Sequence, residues 1–210
     1  LTHPDLGRRS AAMTTHPSPA LPRSADNRPG RSRRRLALAI ALGGFALSAV
    51  AVDWPQFRGP NGDGTTSERI RTNWTQVPPT LVWKTNAAGG FSSVAVSQNR
   101  VLTQVRRTVG GQSQEVCIAL DAGTGRELWA RPLGTAAYDS GGGEGDGPRS
   151  TPTILGDRVF VLTSYLVLAC LDLADGHQVW GVDLRSVYSG QNITWQSSAS
   201  PLIENGLVLV

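Results

Sequence analysis

The chain has 210 residues, a formal net charge of +4 and 40% apolar residues, a composition that suits a folded globular protein. The positive charge lies at the beginning: residues 1–51 hold eight arginines and two aspartates, whereas the rest carries 12 basic and 14 acidic side chains. A basic surface for nucleic acid is therefore excluded for the body of the chain, and no nucleic-acid partner is predicted.

Residues 1–51 have the layout of an export signal and leader. The basic stretch RPGRSRRR precedes the apolar stretch LALAIALGGFALS, and the small residues at 49–51 are typical of a cleavage site. We predict a signal peptide over about residues 31–51, cleavage after Ala51, and a periplasmic or secreted protein. The arginines of SRRRLAL suit both the twin-arginine and the general secretory route. If the signal stays uncleaved, its apolar run is the protein's contact with the membrane.

The body of the chain repeats itself. DAGTGRELW (121–129) returns 51 residues later as DLADGHQVW (172–180), and LVWK places Trp83 46 residues before Trp129. Upstream of each copy lie two strand-like runs that a two-residue turn of Gln-Asn, Gly-Asp or Asn-Gly type joins. The repeating unit is therefore four strands long.

A repeated four-stranded unit predicts an all-β fold, a partial β-propeller built from four-stranded antiparallel blades. In the second unit we predict strands A to D at residues 151–155, 158–163, 166–172 and 177–183. No stretch shows a helical period. We expect an N-terminal segment at 52–79, blades over 80–210, and the N-terminal part of a ring of seven or eight blades.

The recurring residues have an architectural interpretation. A glycine in the turn between strands C and D supplies a backbone conformation that other residues resist, and the aspartate before it accepts hydrogen bonds from turn amides. The tryptophan presents a large apolar face to the neighbouring blade. The residues predicted to dock the blades are Asp121, Gly125, Trp129, Asp172, Gly176, Trp180 and Trp83.

Two cysteines, Cys117 and Cys170, lie in strand-like runs. An exported protein permits a disulfide, but the repeat offset aligns Cys117 with Leu168 rather than with Cys170. We therefore predict buried free thiols, which behave as small apolar side chains.

The sequences ALDAGTGRELW and CLDLADGHQVW, together with DWPQFRGPNGDG at the start of the body, resemble the PQQ-type propeller repeat with its tryptophan-docking motif. That repeat occurs in quinoprotein alcohol dehydrogenases and in BamB, a subunit of the outer-membrane barrel assembly machinery. The resemblance implies a β-propeller and brings PQQ and Ca²⁺ into consideration as cofactors. In the dehydrogenases, two adjacent cysteines cap the quinone and Glu, Asn and Asp side chains bind calcium. This chain has no adjacent cysteine pair, no ligand set that the motif places, and no lipidated cysteine like that of BamB.

Other catalytic patterns are weak. His177 is the only histidine outside residues 1–51, and it follows a turn, where solvated side chains are common. Histidine-based nucleophilic catalysis and His-rich metal sites are therefore not predicted, and no metal ligand is assigned. The glycine-rich GGGEGDG at 141–147 has no strand and helix around it, so a phosphate loop is not predicted either.

The connections from strand D to the next strand A are long, at 132–150 and 185–197, whereas the A–B and C–D turns are tight. Long loops on a rigid scaffold are the usual place for binding residues. Three carboxylates in the first loop could hold calcium, but their spacing is not that of a known calcium loop, so a solvated loop is the favoured interpretation. Trp195 suits stacking on a planar ligand as well as packing between blades. The candidate ligand-binding residues are Tyr138, Asp139, Glu144, Asp146, Arg149, Tyr188, Gln191, Asn192, Trp195 and Gln196.

Three functions follow as hypotheses. The first is an exported binding or scaffold propeller that holds a protein, small molecule or polymer on the face of the long loops. The second is a quinoprotein-like oxidoreductase that uses PQQ and Ca²⁺, with catalytic residues mostly in further blades. The third is a carbohydrate-binding propeller, because Tyr188, Trp195 and the amide side chains suit sugar faces.

Overall fold

The computed structural model of the protein describes residues 52–138 and 146–210, so the predicted leader lies outside the described residues. Between Val52 and Val210, apart from 139–145, no helix is long and apolar enough to cross a membrane. The elements in this part of the chain are β1 Ala95–Ser97, β2 Arg100–Val109, β3 Gln112–Asp121, β4 Glu127–Thr135, β5 Thr153–Leu155, β6 Arg158–Leu162, β7 Val167–Asp172, β8 Gln178–Asp183, α1 Leu184–Tyr188, β9 Leu202–Glu204 and β10 Leu207–Leu209.

The strands form antiparallel sheets in chain order. The first sheet is β1-β2-β3-β4, the second is β5-β6-β7-β8, and β9 with β10 begins a third. The prediction of an all-β partial propeller with four-stranded antiparallel blades is confirmed. The strand bounds of the second sheet agree with the predicted ones to within two residues. The helix α1, a single turn in the second long loop, was not predicted.

The A–B turns explain why these strands reverse where they do. Gln98 and Asn99 have φ of 49° and 60°, and Asn205 and Gly206 have φ of 49° and 77°. Two successive residues at positive φ define a type I′ turn, whose twist matches that of the flanking strands. The Gln-Asn and Asn-Gly pairs in the sequence therefore specify these hairpins.

The main core lies between the first and second sheets. Leu102, Cys117 and Ala119 face Val161 and Leu171, and all five side chains are almost completely buried. Each large aliphatic side chain buried in this way contributes roughly 1.5–3 kcal/mol. Both cysteines are free and buried, as predicted. Burial raises the pKa of the Cys117 thiol, so the thiol stays protonated and inert.

Tryptophan side chains join consecutive sheets. The Trp129 ring lies against Gly176 of the next sheet, and its Nε1–H donates to the carbonyl oxygen of Leu173 at 3.1 Å. The Trp83 ring lies against Gly125 in the same way, and its Nε1–H donates to the carbonyl oxygen of Ala122 at 2.8 Å. The contact thus repeats at both complete sheets of the described chain.

The turns that receive these rings depend on glycine and aspartate. Gly125 and Gly176 both have φ of +71°. Asp121 Oδ1 accepts hydrogen bonds from the backbone N–H groups of Gly123 and Thr124, and Asp172 Oδ1 accepts one from Ala174 N–H. The hydrogen bond from the Thr124 hydroxyl to Asp121 Oδ1, followed by the backbone bonds from Thr124 and Gly123, lowers the pKa of the Asp121 carboxyl group. The aspartate and the glycine together hold the flat turn on which the indole packs.

Trp83 and Trp180, the first and third of the repeating tryptophans, lie in segments without a complete sheet on each side in the described part of the chain. Trp180 is 40% exposed, against 9% for Trp129, because the third sheet has only two strands in this part of the chain. The segment LVWK forms no strand, and its Leu81 and Val82 are each 76% exposed. A strand needs a hydrogen-bonded neighbour, and the described residues provide none for this segment.

The segment that precedes LVWK ties the inner strands together. Trp54 forms a bridge with Val96 of β1 through two backbone hydrogen bonds of 2.8 and 2.7 Å. The carbonyl oxygen of Pro55 then accepts from Ile154 N–H of β5 at 2.7 Å. Since β1 and β5 are the first strands of consecutive sheets, this segment crosses from one to the other.

The alternating strand directions define two faces. The A–B and C–D turns lie at one end of each sheet, which we call the short-turn face. The B–C turns, the described residues 136–138 and 146–152, and the connection 184–201 lie at the other end, which we call the long-loop face. The loops selected from the sequence therefore share one face with the B–C turn at residues 163–166.

Replacement of Gly176 by alanine tests the docking contact. A Cβ at this position would lie 2.5 Å from Cε3 of Trp129 and would stand on a backbone with φ of +71°. We expect Gly176→Ala to lower the free energy of unfolding by roughly 3 kcal/mol, from backbone strain and overpacking together. Urea denaturation of the two proteins, wild type and variant, measures this.

Gly156→Ala is the matched control. Gly156 also has positive φ, but a Cβ there would meet nothing within 4 Å. This variant should lose only about 1 kcal/mol. Equal losses in the two variants would show that the tryptophan contact contributes no specific stability.

Candidate binding site on the long-loop face

The predicted site residues fall into two groups on the long-loop face. Tyr138 begins the first loop, and Asp146 and Arg149 end it; Asp139 and Glu144 lie outside the described residues. The second group lies on α1 and the residues after it, and consists of Tyr188, Gln191, Asn192, Trp195 and Gln196. The three carboxylates proposed for calcium therefore reduce to Asp146 in the described part of the chain.

A buried carboxylate anchors the first loop. Glu115 on β3 is 0% exposed and points toward the second sheet, on the same side of the strand as Cys117. Its Oε1 accepts a hydrogen bond from the Tyr138 hydroxyl at 2.6 Å, and its Oε2 accepts one from the backbone N–H of Ser164 at 2.9 Å. Glu115 thus joins the first sheet, the first long loop and the B–C turn of the second sheet.

The environment of Glu115 favours its protonated form. Burial raises the pKa of this carboxyl group above its ordinary value of 4.5, and the hydrogen bonds from Tyr138 and Ser164 oppose the rise in part. Burial and the adjacent Glu115 raise the pKa of the Tyr138 hydroxyl, so the phenol remains a donor. The contact is therefore a hydrogen bond whose strength depends on the charge of Glu115.

Arg149 lies close to two aromatic rings. Its Cζ is 5.5 Å from the Phe91 centroid and 6.0 Å from the Tyr138 centroid. Its Nη2 donates to Asp146 Oδ1 at 3.0 Å. Phe91 reaches this position because its backbone N–H donates to the carbonyl oxygen of Pro148 at 2.8 Å. The guanidinium contacts two aromatic rings and is paired with a carboxylate, a combination that favours arginine over lysine.

The contacts continue across the boundary between the two sheets. The rings of Tyr138 and Tyr165 stack with centroids 6.4 Å apart and an interplanar angle of 24°. Arg185 of α1 places its Cζ 5.8 Å from the Tyr165 centroid. We call the consecutive series Phe91, Arg149, Tyr138, Tyr165 and Arg185 the arginine–aromatic row. It runs from the chain before β1, over both complete sheets, to the second long loop.

The second long loop presents exposed aromatic side chains. Asp183 caps α1 by accepting from Arg185 N–H, and Ser189 ends it at φ of 55°. Tyr188 is 73% exposed and Trp195 is 66% exposed in the described part of the chain. Gln196 is buried at φ of 58°, and Asn192 is half-buried.

Gln191 lies elsewhere on this loop. It lines a groove of about 690 Å³ together with Tyr188 and the open face of Trp180. This groove lies beside the two-stranded third sheet, and not on the row.

Several residues of the site were missed by the sequence reasoning. Glu115 lies within the strand-like run QEVCIAL, and a carboxylate inside an apolar strand is the one signal that could have singled it out. Phe91, Ser164 and Tyr165 carry no signal, because they are loop or turn residues whose neighbours are set by the packing of sheets. Arg185 lies in the second loop but was not chosen.

One group of possible metal ligands lies on the opposite side. Asp172, Asp175 and His177 of the second C–D turn place ligand atoms within 4.8 Å of one another. Asp172 Oδ2 already accepts from Arg158, and Asp175 Oδ1 contacts the Nδ1 of His177 at 2.8 Å. The group lies on the short-turn face and takes no part in the site, and it is the only such group among the described residues.

The comparisons with known proteins agree with this architecture. A family profile described as outer membrane protein assembly factor BamB matches residues 72–210. The chain belongs to this family of PQQ-like β-propeller repeat proteins. No protein of curated function matches it.

Solved structures share the fold. The quinohemoprotein alcohol dehydrogenase from Comamonas testosteroni has a TM-score of 0.50 and 20% identity over 74% of this chain and 22% of its own. BamB from Moraxella catarrhalis has a TM-score of 0.34 and 22% identity, over 55% of this chain and 28% of its own. A europium-containing methanol dehydrogenase has a TM-score of 0.36 and 19% identity, over 52% of this chain and 20% of its own. The chain spans between 20% and 28% of the length of these proteins.

The described residues do not fit PQQ and its calcium ion. Cys117 and Cys170 lie in different sheets and are both free, so no pair of adjacent cysteines caps a quinone there. Both oxygens of Glu115 are hydrogen bonded inside the protein, and Asp146 is paired with Arg149. No reaction through the quinone is therefore assigned to these residues.

The charge of Glu115 should make stability depend on pH. The folded protein keeps a proton on Glu115 at pH values where the unfolded chain, with a pKa near 4.5, has lost it. The stability that this bound proton contributes is fully present below pH 4.5. It is lost as the pH rises through the raised pKa of Glu115 in the folded state. Relative to Glu115→Gln, the wild type should lose at most about 1.4 kcal/mol per pH unit in that window.

Urea denaturation at several pH values between 4 and 7 measures this difference. Glu204→Gln, at an exposed position on β9, is the control and should follow the wild type. Parallel curves for the wild type and Glu115→Gln would contradict the assignment of a raised pKa to Glu115.

Proposed function

We propose that this protein is an exported β-propeller binding module that holds a ligand or partner on its long-loop face. The observation that carries the proposal is the arginine–aromatic row, which gathers side chains from four separate segments of the chain. Tyrosine and arginine are the side chains most enriched at binding surfaces that need both apolar contact and hydrogen bonds.

The scaffold supports this role. The row rests on two sheets whose mutual packing is fixed by the tryptophan docking and by Gln104, which donates from Nε2 to the carbonyl oxygens of Ser150 and Leu162. The buried Glu115 carboxyl group accepts a hydrogen bond from the Tyr138 hydroxyl and so fixes the position of this ring. A surface held by rigid elements loses little conformational entropy on binding. The family's description as an assembly factor is consistent with a role based on binding.

The sequence of residues 31–51 and the family both support export. The signal peptide at about 31–51 and its cleavage after Ala51 remain part of the proposal, with the mature protein in the periplasm or the medium. The mature body carries no excess of basic side chains, in keeping with a partner other than nucleic acid.

The competing proposal is a PQQ- and Ca²⁺-dependent alcohol oxidoreductase that takes its catalytic residues from further blades. Incubation of the exported full-length protein with PQQ and Ca²⁺ separates the two. For a binding module we expect no quinone absorbance on the desalted protein and no dye-linked oxidation of alcohols. Retention of one quinone per chain, together with alcohol-dependent dye reduction, would replace the binding proposal with the enzymatic one.

A retention experiment tests the binding face directly. The exported protein is immobilised and exposed to solubilised cell-envelope material, and the bound polymers and proteins are quantified. Arg149→Ala and Arg185→Ala combined should lower retention about tenfold, since each removes a cation from the row. Arg126→Ala, at an exposed position on the short-turn face, removes the same charge and should leave retention unchanged. Equal retention in all variants would overturn the proposed face.

A further inference from the structure

We infer that residues 80–84, the segment TLVWK, are strand D of a further four-stranded sheet and pair with strand C of the last sheet in the predicted ring. The occupant of this open strand edge is a segment of the same polypeptide, and the pairing closes the ring. The inference rests on the docking contact of Trp83, on the register of the two complete sheets, and on the path of the chain after residue 84.

Trp83 makes the contact that elsewhere belongs to a tryptophan of strand D. Trp129 of β4 docks on Gly176, and Trp83 docks on Gly125 with the same 2.5 Å between ring atom Cε3 and the position of an added Cβ. Trp83 also packs on the face of the first sheet that points away from the main core, since side chains alternate along a strand. The buried residues of that face are Val105, Val116, Ile118 and Leu120. A sheet that contains residues 80–84 therefore packs on the first sheet as the first packs on the second.

The two complete sheets show which residue lies opposite the tryptophan. Trp129 lies opposite Ala119 in the antiparallel pair β3–β4, and Trp180 lies opposite Cys170 in the pair β7–β8. Both partners are small, almost completely buried, and two residues before the aspartate of the C–D turn. A small side chain leaves room for the indole on the same face of the sheet. We therefore expect Trp83 to lie opposite a small residue two positions before the turn aspartate of the pairing strand.

The chain after residue 84 follows the course of the other D–A connections. Those connections pass over the long-loop face, from strand D of one sheet to strand A of the next. Residues 85–94 lead in the same way to β1. The carbonyl oxygen of Gly89 accepts from the backbone N–H of Arg106 at 2.7 Å, and the backbone N–H of Phe91 donates to the carbonyl oxygen of Pro148 at 2.8 Å. Residues 80–84 thus precede the first sheet as β4 precedes the second.

The described sheets offer no strand for this pairing, either within the chain or from a second copy. The C strands among the described residues are β3 and β7, and each already has a neighbour on both sides. The third sheet contributes only its A and B strands, β9 and β10, to the described chain. Sheets arranged around one axis bring the last sheet beside the first, and a ring closed in this way leaves only short, protected edges. The geometry therefore favours a strand of the same polypeptide over strand exchange between copies.

Hydrogen exchange of the exported full-length protein tests the pairing. An outer strand has one paired edge, so about every second amide of residues 81–85 should exchange about a hundredfold more slowly than in an unfolded chain. Residues 127–131 of β4 are the reference and should show the same alternation. Sedimentation under the same conditions should give a monomer. Exchange of residues 81–85 at the rate of an unfolded chain, or protection that a dimer alone shows, would overturn the inference.

Two lysine variants give a second readout. Leu81 and Val82 are both 76% exposed, so the two variants should behave alike if the segment stays unpaired. By the repeat, Leu81 is equivalent to the exposed Glu127, and Val82 to Leu128, which is half-buried against the main core. Val82→Lys should therefore lower the equilibrium constant for folding about tenfold, whereas Leu81→Lys should stay within about twofold of the wild type. Equal effects in urea denaturation would contradict the pairing and would leave the proposed binding face untouched, since the retention experiment tests that face separately.

Discussion

The indole of Trp129 lies flat on Gly176 of the following sheet and donates its N–H to a carbonyl of the same turn. This contact combines apolar burial with a directional hydrogen bond, so it sets both the distance and the rotation between neighbouring sheets. It requires a residue without a Cβ, because any side chain would enter the ring. The repetition of the contact at Trp83 and Gly125 makes the architecture periodic.

The fixed relation between the sheets creates the long-loop face. Glu115 of the first sheet reaches Ser164 of the second only because the two sheets are held at this spacing. A buried carboxylate is costly unless its oxygens are hydrogen bonded, and here both are, one of them by Tyr138. The loop anchor, the stacked tyrosines and the two arginines thus depend on the docking contact, although none of them touches it.

Much of the fold could be predicted from local patterns. The Asp, Gly and Trp spacing predicts the C–D turn and the outer strand, since those conformations depend on residues within one turn of each other. The same reasoning was incomplete for the segment LVWK, whose Trp83 docks as the others do while Leu81 and Val82 form no strand. Strand formation requires a partner, which a local pattern does not provide.

The candidate site was predicted in part. Loop length pointed to the long-loop face and to Tyr138, Asp146 and Arg149, because long connections between rigid strands must emerge at one end of the sheets. It could not point to Tyr165 or Glu115. These residues belong to a tight turn and to a strand, and they join the site only through contacts between separate sheets.

By itself, the sequence determined the repeating β unit, the hairpin turns and the residues that dock one sheet on the next, since each of these rests on the conformational preferences of a few neighbouring residues. Only the tertiary structure decided which side chains share the long-loop face. The reason is physical: the contacts of Arg149, Tyr165 and Glu115 join residues that are distant along the chain. Such contacts form after the sheets have packed, and no local preference specifies them.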